Sequence, residues 1–420
     1  MDHNPIARKI TGTLFVAQSL GSAGFIAVAT INSIVGAKLS GQPAWAGVPT
    51  SVYLFGGALA AFGWGYGMER LGRRSGLVTG LLMGVVGAGL ASGALIVQSF
   101  WLFLAGMALM GSANAALQLG RFAAAEVYPP AGRGSAISNV VIGGTIGAIF
   151  GPLMVGPTGD WSRGLGLDEL AGPYVAGLVL FALAALVIFL WLRPDPREIG
   201  REVARLYPEE SLSGQITRSI PAILRQPGTM VAMTAMVMGQ LTMVMLMVIT
   251  SLHMKALNHP LTEISIVISS HTIGMYAFAI ISGRLADRFG RAPVITIGSI
   301  TLILACISAP LSPDVLPISV ALFLLGLGWN FCYVGGSTLL SDQLSPSERA
   351  KTQGFNDLLI GLVSATGSLF SGVIFATTGY ASVGIIGALA AFSTLVLTMG
   401  WQAKNTANIK GLRKAGGQPS

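Results

Sequence analysis

Charge is what this sequence has least of. Asp, Glu, Lys and Arg make up 10% of its 420 residues, while hydrophobic residues make up 52% and the mean hydropathy is +0.70. A soluble domain carries about a quarter charged residues and needs them to cover its surface, so this chain is solvated by lipid instead. The same balance excludes an intrinsically disordered protein and a soluble enzyme. Cysteine is nearly absent: Cys306 and Cys332 are the two, both inside apolar runs, which excludes a secreted disulfide scaffold. Histidine is scarce as well, with four in the chain. No phosphate-cradling G-x-x-x-x-G-K-[ST] loop occurs, so nothing supports an ATP-driven machine. The net charge is +8, which in a soluble chain would suggest nucleic acid. Here its distribution matters more than its size, and no nucleic-acid partner is expected.

What is present is apolar length. A bilayer core of about 30 Å needs roughly 20 mostly apolar residues per helix. Twelve such stretches run near 11–36, 48–68, 75–97, 101–124, 135–157, 172–192, 229–252, 262–282, 292–311, 317–340, 352–376 and 380–401. The expected fold class is an all-α membrane protein with the lipid bilayer as its partner. Glycine, with 56 residues, suits helices whose backbones approach closely in lipid. The first stretch is too long for a removable signal peptide and lacks a small-residue cleavage site, so it reads as the first helix. The longest polar segment divides the twelve into six and six. The expected organisation is a bundle over 1–192, a linker over 193–228, a second bundle over 229–401 and a tail over 402–420. The linker interleaves Arg193, Arg197, Arg201, Arg205, Arg218 and Arg225 with Asp195, Glu198, Glu202, Glu209 and Glu210, and reads as solvated, with room for a surface helix and no binding role. With both termini in the cytoplasm, every Lys and Arg lies on that side except Lys38, Arg163 and Lys255 outside and Arg121 within the fourth stretch.

The two halves repeat. GYGMERLGRR (Gly65 to Arg74) follows the second stretch and GRLADRFGR (Gly283 to Arg291) follows the eighth, offset by 218 residues. EVYPPAGRG follows the fourth and QLSPSERAK the tenth, with Pro129 and Pro346 offset by 217. Parallel six-helix repeats imply a substrate path near the midplane between them. Twelve spans, a central linker and paired G-x-x-x-[DE]-R-x-G-R loops resemble the major facilitator superfamily over nearly the whole chain. The resemblance implies rocker-switch alternating access, with helices one, two, four, five, seven, eight, ten and eleven lining the cavity. It also implies that the loop motif stabilises the outward-facing state. That role would fall on Gly65, Glu69, Arg70, Gly72 and Arg73, and in the second copy on Gly283, Asp287, Arg288, Gly290 and Arg291.

The seventh stretch is anomalous. Between Met230 and Met254 stand eight of the sixteen methionines. A flexible thioether packs acceptably in a helix interface, but it is also a soft metal ligand. Met243 and Met247 are four apart and share one helix face; His271 and Met275 repeat the spacing on the eighth stretch. Histidine inside a span is costly and marks a functional site by default. Counted from the outer boundary at ~1.5 Å per residue, all four fall within roughly 8–20 Å of it. Three thioethers and an imidazole, with no carboxylate, favour Cu(I) over Zn, Mg or Ca. Neutral ligands replace part of the ion's hydration shell yet can release it. M-x-x-x-M on helix seven followed by H-x-x-x-M on helix eight, with 24 positions from Met247 to His271, resembles the CcoA-type copper importers. That resemblance implies copper as the transported substrate rather than a cofactor. It implies uptake through a bacterial inner membrane, a cytoplasmic copper acceptor, and supply of haem–copper cytochrome oxidase assembly. No enzymatic activity is expected, and the carrier is expected to be a monomer.

Cys332, sixteen residues into the tenth stretch, is a candidate soft ligand on the exit path, whereas Cys306 on the ninth reads as inert. Met254, His253 and His259 near the outer end read as loop residues before they read as copper captors. Met233, Met236, Met238 and Met245 lie on several faces and cannot all meet one cavity. Arg121 and Asp357, with Glu126, form a candidate cytoplasmic gate, the alternative being that each snorkels to the interface alone. A competing reading is a proton-coupled carrier of an organic solute such as riboflavin or a drug. Trp64, Phe122, Trp329 and Tyr333 favour it, and the lack of a carboxylate near the midplane weighs against simple proton antiport. A non-transporting sensor would carry an added soluble domain, and this tail is short.

Overall fold

The computed structural model describes residues 5–207 and 218–415. Residues 208–217 of the linker, with Glu209 and Glu210, and residues 416–420 of the tail lie outside the described residues. Every described element is helical. In chain order they are α1 (Pro5–Ser40), α2 (Val48–Leu71), α3 (Arg73–Ile96), α4 (Phe100–Gln118), α5 (Gly120–Glu126), α6 (Arg133–Phe150), α7 (Val155–Gly164), α8 (Ala171–Trp191) and α9 (Pro196–Leu206). Then come α10 (Ile220–Leu224), α11 (Pro227–Ala256), α12 (Leu261–Tyr276), α13 (Ala279–Phe289), α14 (Arg291–Ser308), α15 (Val315–Asp342), α16 (Pro346–Thr378) and α17 (Tyr380–Ala415). Eleven spans among the described residues are long and apolar enough to cross a bilayer, or twelve when the pair Pro43–Ala61 and Gly63–Leu71, bent by 46°, counts as one.

Three features go beyond those expectations. The eighth stretch, expected near 262–282, is one span, Leu261–Phe289, with its helix interrupted between Tyr276 and Ala279 into α12 and α13. The fifth is interrupted at Gly151 and Pro152 by a short 3-10 turn, because proline removes a backbone donor and crowds the preceding turn. The linker is not simply solvated. Asp195 accepts backbone N–H bonds from Arg73 at 3.1 Å, Arg74 at 3.0 Å and Arg197 at 2.9 Å, so it caps the start of α3 as well as that of α9. At the far end of the linker, Arg218 forms a forked pair with Glu348 at 2.8 and 2.7 Å. The Arg218 bonds, outweighing burial, hold the Glu348 carboxyl well below the usual carboxylate range.

The chain forms two compact units. The first comprises residues 1–211 with 248–269 and 368–377; the second comprises 212–247, 270–367 and 378–420. In the first, α3 packs on α4 and α8, α2 on α4, and α1 on α6 and α8. Phe103, Tyr174 and Phe181 are fully buried there, and the Tyr174 hydroxyl donates to Asn32 at 2.9 Å, so this deep polar atom is satisfied. Backbones touch where side chains are absent: a Cβ on Gly111 would lie 2.0 Å from the Tyr53 carbonyl oxygen. In the second unit, α14 packs on α15 and α17, and α13 on α15.

Candidate functional site

The second unit holds all four residues of the M-x-x-x-M and H-x-x-x-M pairs. Met243 on α11 is buried, Met247 one turn later is partly so, His271 on α12 is 1% exposed and Met275 is half-buried. The ring of His271 is held against α15. Its Nδ1–H donates to the Leu322 carbonyl at 3.0 Å, since a carbonyl can only accept. The other nitrogen, Nε2, is buried and has no hydrogen-bond partner. A neutral imidazole pinned through Nδ1 presents its lone pair at Nε2, the tautomer that binds metals. Helices α12 and α15 approach backbone to backbone at this point. A Cβ on Gly326 would stand 2.2 Å from the His271 carbonyl oxygen and 2.9 Å from the Met275 nitrogen.

One residue beyond Met275, after Tyr276, the helix breaks. The break frees the Met275 carbonyl, and Asn330 of α15 takes it up, donating from Nδ2 at 2.6 Å. The Asn330 Oδ1 in turn accepts from the Ser282 hydroxyl on α13, so one 2%-exposed side chain bridges both sides of the break. Broken helices in bundles of this kind lie where substrates bind, because their loosened backbone is tolerated beside a cavity. Sequence reasoning missed Asn330; its signal was an amide in the otherwise apolar run Leu322 to Val334.

Beside Met275 stands an aromatic group. Trp329 stacks on Tyr333 with ring centroids 4.9 Å apart and 19° between planes, and meets Tyr276 edge-on at 6.4 Å. Its indole N–H donates to Gln240 Oε1 on α11 at 2.7 Å, tying α11, α12 and α15 together. In the first unit, Trp64 donates to the Ser112 carbonyl at 2.9 Å, and Phe122 is 47% exposed with the Arg121 guanidinium 4.9 Å from its ring centre.

Most remaining methionines pack. Met233 and Met236 belong to a buried cluster with Val231, Ile295 and Leu339, and Asn356 donates to the Met236 sulphur at 3.6 Å. Met230, Met233 and Met238 line a recess of about 350 Å³ with Phe355 and Leu359. Cys332 is 1% exposed, its thiol set among α14 atoms at 3.8 Å from Ser299 Oγ and 3.9 Å from the Ile295 carbonyl. Cys306 is likewise buried. Met254 is fully buried and His259 pairs with Glu263 at 2.6 Å. Among the described residues, no three His, Cys, Asp or Glu side chains group so as to hold a metal ion, so any metal here depends on methionine sulphur.

The two loop motifs have matching geometry. Gly72 and Gly290 turn the chain at φ +89° and +92°, ψ 161° and 163°, a region open to glycine alone. Each is followed by an arginine that grips the end of a later helix. Arg73 holds Glu126 through Nε at 3.0 Å and Nη2 at 2.6 Å; Arg291 holds Asp342 at 2.9 Å and Asp287 at 3.3 Å. Arg70 lies 4.3 Å from the Tyr66 ring centre, Arg288 5.3 Å from that of Phe289, and Glu69 is exposed. A Cβ at Gly65 or Gly283 would meet open space, so nothing in the packing requires glycine there. Arg121 and Asp357 fall in different units; Asp357 accepts from Gln353 at 2.9 Å, and Arg121 Nε is buried without a partner.

The first unit has an ionic cluster between α7 and α8. Glu169 binds Lys255 of α11 at 2.6 Å and also pairs with Arg163, and Asp168 pairs with Lys38. Lys38, Asp168, Glu169 and Lys255 border a recess of about 920 Å³ whose walls include Ile34, Leu167 and Leu252.

Comparison with known proteins agrees with this architecture. The sequence model of the Major Facilitator Superfamily matches residues 14–256 and 230–420. The chain is 34% identical to the uncharacterized MFS-type transporter YdeG of Bacillus subtilis (strain 168), over 90% of this chain and 89% of that one. It is 29% identical to the riboflavin transporter RfnT of Brucella anthropi, over 90% of this chain and 92% of that one. Among solved structures, the nucleoside transporter NupG aligns with a TM-score of 0.67 at 17% identity, covering 94% of this chain and 98% of that one. A bacterial homologue of the lysosomal transporter Spinster aligns at 0.69 and 16%, covering 94% and 95%.

Proposed function

The chain belongs to the Major Facilitator Superfamily, and on that premise we propose that this membrane transporter carries copper, as Cu(I), into the cytoplasm across a bacterial inner membrane. The observation that carries the reading is His271: its Nδ1 is fixed on Leu322, and its Nε2 is buried with no partner in a span where an orphaned nitrogen is costly. Met243, Met247 and Met275 supply thioethers of the chemistry that Cu(I) prefers. The ligands are neutral, so the ion keeps its charge, and thioethers exchange readily enough to let it leave. Cys332, engaged with α14, is left out of the set. Copper here is cargo, and import, the cytoplasmic acceptor and the supply of oxidase assembly follow the resemblance to the CcoA-type importers. The clamps at Arg73–Glu126 and Arg291–Asp342 are the elements through which the loop motifs would bias alternating access, and Arg121 with Asp357 would form the cytoplasmic gate.

A second reading rests on a separate observation. The Trp329–Tyr333 stack, with Tyr276 and the Gln240 amide, offers a flat aromatic wall with a hydrogen-bonding group, which suits a planar organic solute. The relative named as a riboflavin transporter adds weight to that alternative. Uptake of radiolabelled copper and of labelled riboflavin by cells expressing matched amounts of wild type or His271→Ala separates the two. Copper uptake that collapses in the variant supports the copper reading. Riboflavin uptake without copper uptake overturns it.

A further inference from the structure

Beyond transport, the first unit places three basic side chains around the end of α8, and among the described residues no ion pair is formed by Lys9, Arg74 or Arg193. At the end of α8, the Arg74 and Arg193 guanidinium groups lie 4.8 and 5.8 Å from the centre of the same Phe189 ring. Arg74 also donates to the Phe189 carbonyl at 2.6 and 3.2 Å, and Lys9 reaches the Arg193 carbonyl at 3.4 Å. Two guanidinium groups sharing one ring, with an ammonium at the Arg193 backbone, leave like charges near one another, and such a group is stabilised by an anion. Asp195 lies at the Arg74 backbone and offsets one of the three charges, but its oxygens are directed to three backbone N–H groups and not to the guanidinium groups, so a net positive charge is left. The depth of the cluster is marked by its surroundings. Phe189, Leu190 and Trp191 are 48, 49 and 54% exposed, and an exposed tryptophan at a helix end sits at headgroup level. Next along the chain, α9 presents Arg197, Arg201 and Arg205 at four-residue spacing.

We propose that Lys9, Arg74 and Arg193 form a binding site for the phosphodiester headgroup of an anionic phospholipid, with Phe189 and Trp191 against its acyl chains. The guanidinium groups supply forked N–H donors to phosphate oxygens, and the ammonium adds a point charge. Choline lipids have the same phosphate, but their quaternary ammonium opposes this cluster, so net charge gives selectivity.

The test uses the full chain purified in a neutral detergent. Cardiolipin, phosphatidylglycerol or phosphatidylcholine is titrated in, and retained lipid is counted by native mass spectrometry. At roughly a factor of five per basic residue, Arg74→Gln with Arg193→Gln should weaken anionic-lipid binding about thirtyfold, or ~2 kcal/mol at 1.4 kcal/mol per factor of ten. Arg193→Gln alone, which leaves the Arg74 bond to α8 in place, should weaken it about fivefold and keeps the test open if the double variant does not fold. Equal retention of phosphatidylcholine, or unchanged binding in either variant, overturns the proposal. Inorganic phosphate that displaces cardiolipin at millimolar concentration would mark a free-anion site and overturn the lipid assignment.

Discussion

Replacing Asn330 with leucine, which has the same branching and number of heavy atoms, tests whether the break in the eighth span is held from α15. Asn330 is 2% exposed and makes two hydrogen bonds across the break, to the Met275 carbonyl and from the Ser282 hydroxyl. Leucine fills the space and makes neither. Hydrogen bonds between membrane helices average about 0.6 kcal/mol and reach about 1.7, while a buried group left without a partner costs about 1–3. Met275 has no helical donor to return to, because its carbonyl was freed by the break itself, so Asn330→Leu should destabilise by about 1–3 kcal/mol. Ser282→Ala removes the hydroxyl that Asn330 and the Phe278 carbonyl share and leaves Met275 satisfied; it should cost about 0.6 kcal/mol. The decisive quantity is the double variant. With Asn330 gone, the Ser282 hydroxyl keeps the Phe278 carbonyl at 2.9 Å but has lost the partner across the break, so Ser282→Ala should cost less than in wild type. Equilibrium unfolding in mixed micelles measures all four corners of this cycle. A Ser282→Ala effect of equal size in both backgrounds would refute the bridge. So would an Asn330→Leu protein as stable as wild type. If the proposed copper reading holds and the bridge also sets Met275, Asn330→Leu should raise the KM for copper about tenfold, with protein amount at the membrane matched, and Ser282→Ala much less.

Two further outcomes follow from the Glu169 cluster and from the paired glycine turns. Burial would raise the Glu169 carboxyl, but its bonds and charges with Lys255 and Arg163 outweigh it and hold the pKa below the ordinary carboxylate value. The stabilisation by Glu169 is therefore fully present above that ordinary value and lost as pH falls through the lowered one. Wild type and Glu169→Gln melting temperatures should differ at pH 7, and the gap should shrink progressively as pH falls below the ordinary carboxylate value; a gap that does not shrink on acidification counts against the cluster, whose partly exposed pairs are worth about 1 kcal/mol or less. Gly72→Ala and Gly290→Ala each force a side chain into a glycine-only conformation at about 1–3 kcal/mol. Gly72→Ala should be the worse, because its Cβ would stand 2.6 Å from Asp195 Oδ2 whereas the nearest atom at Gly290 is 3.8 Å away. Thermal melts of the two purified variants check the order, and equal losses would mean that the Asp195 contact yields freely.

The sequence by itself determined the class, the number of spans and the internal repeat. Hydropathy over 20 residues depends on local composition, and the bilayer reads it without regard to tertiary contacts. The paired glycine turns were legible for the same reason: Gly72 and Gly290 carry a backbone requirement that shows as a residue type at a fixed offset. His271 was legible as costly, since any histidine in an apolar run is. What faces it was not. The Leu322 carbonyl that fixes its Nδ1 lies 51 residues away, and the packing of α12 on α15 brought it there. The break after Met275 carried no proline to announce it, and Asn330, 55 residues on, acquires its meaning only where the freed carbonyl meets it. Asp195 looked like one charge in a mixed linker, yet it caps a helix 122 residues earlier in the chain. Lys255 and Glu169, 86 residues apart, became partners only through the docking of helix ends. Local sequence sets which segments enter the membrane, because that choice is made by each segment's own transfer energy. The pairing of polar atoms inside is decided by how helices cross and rotate against each other, a property of the assembled bundle alone.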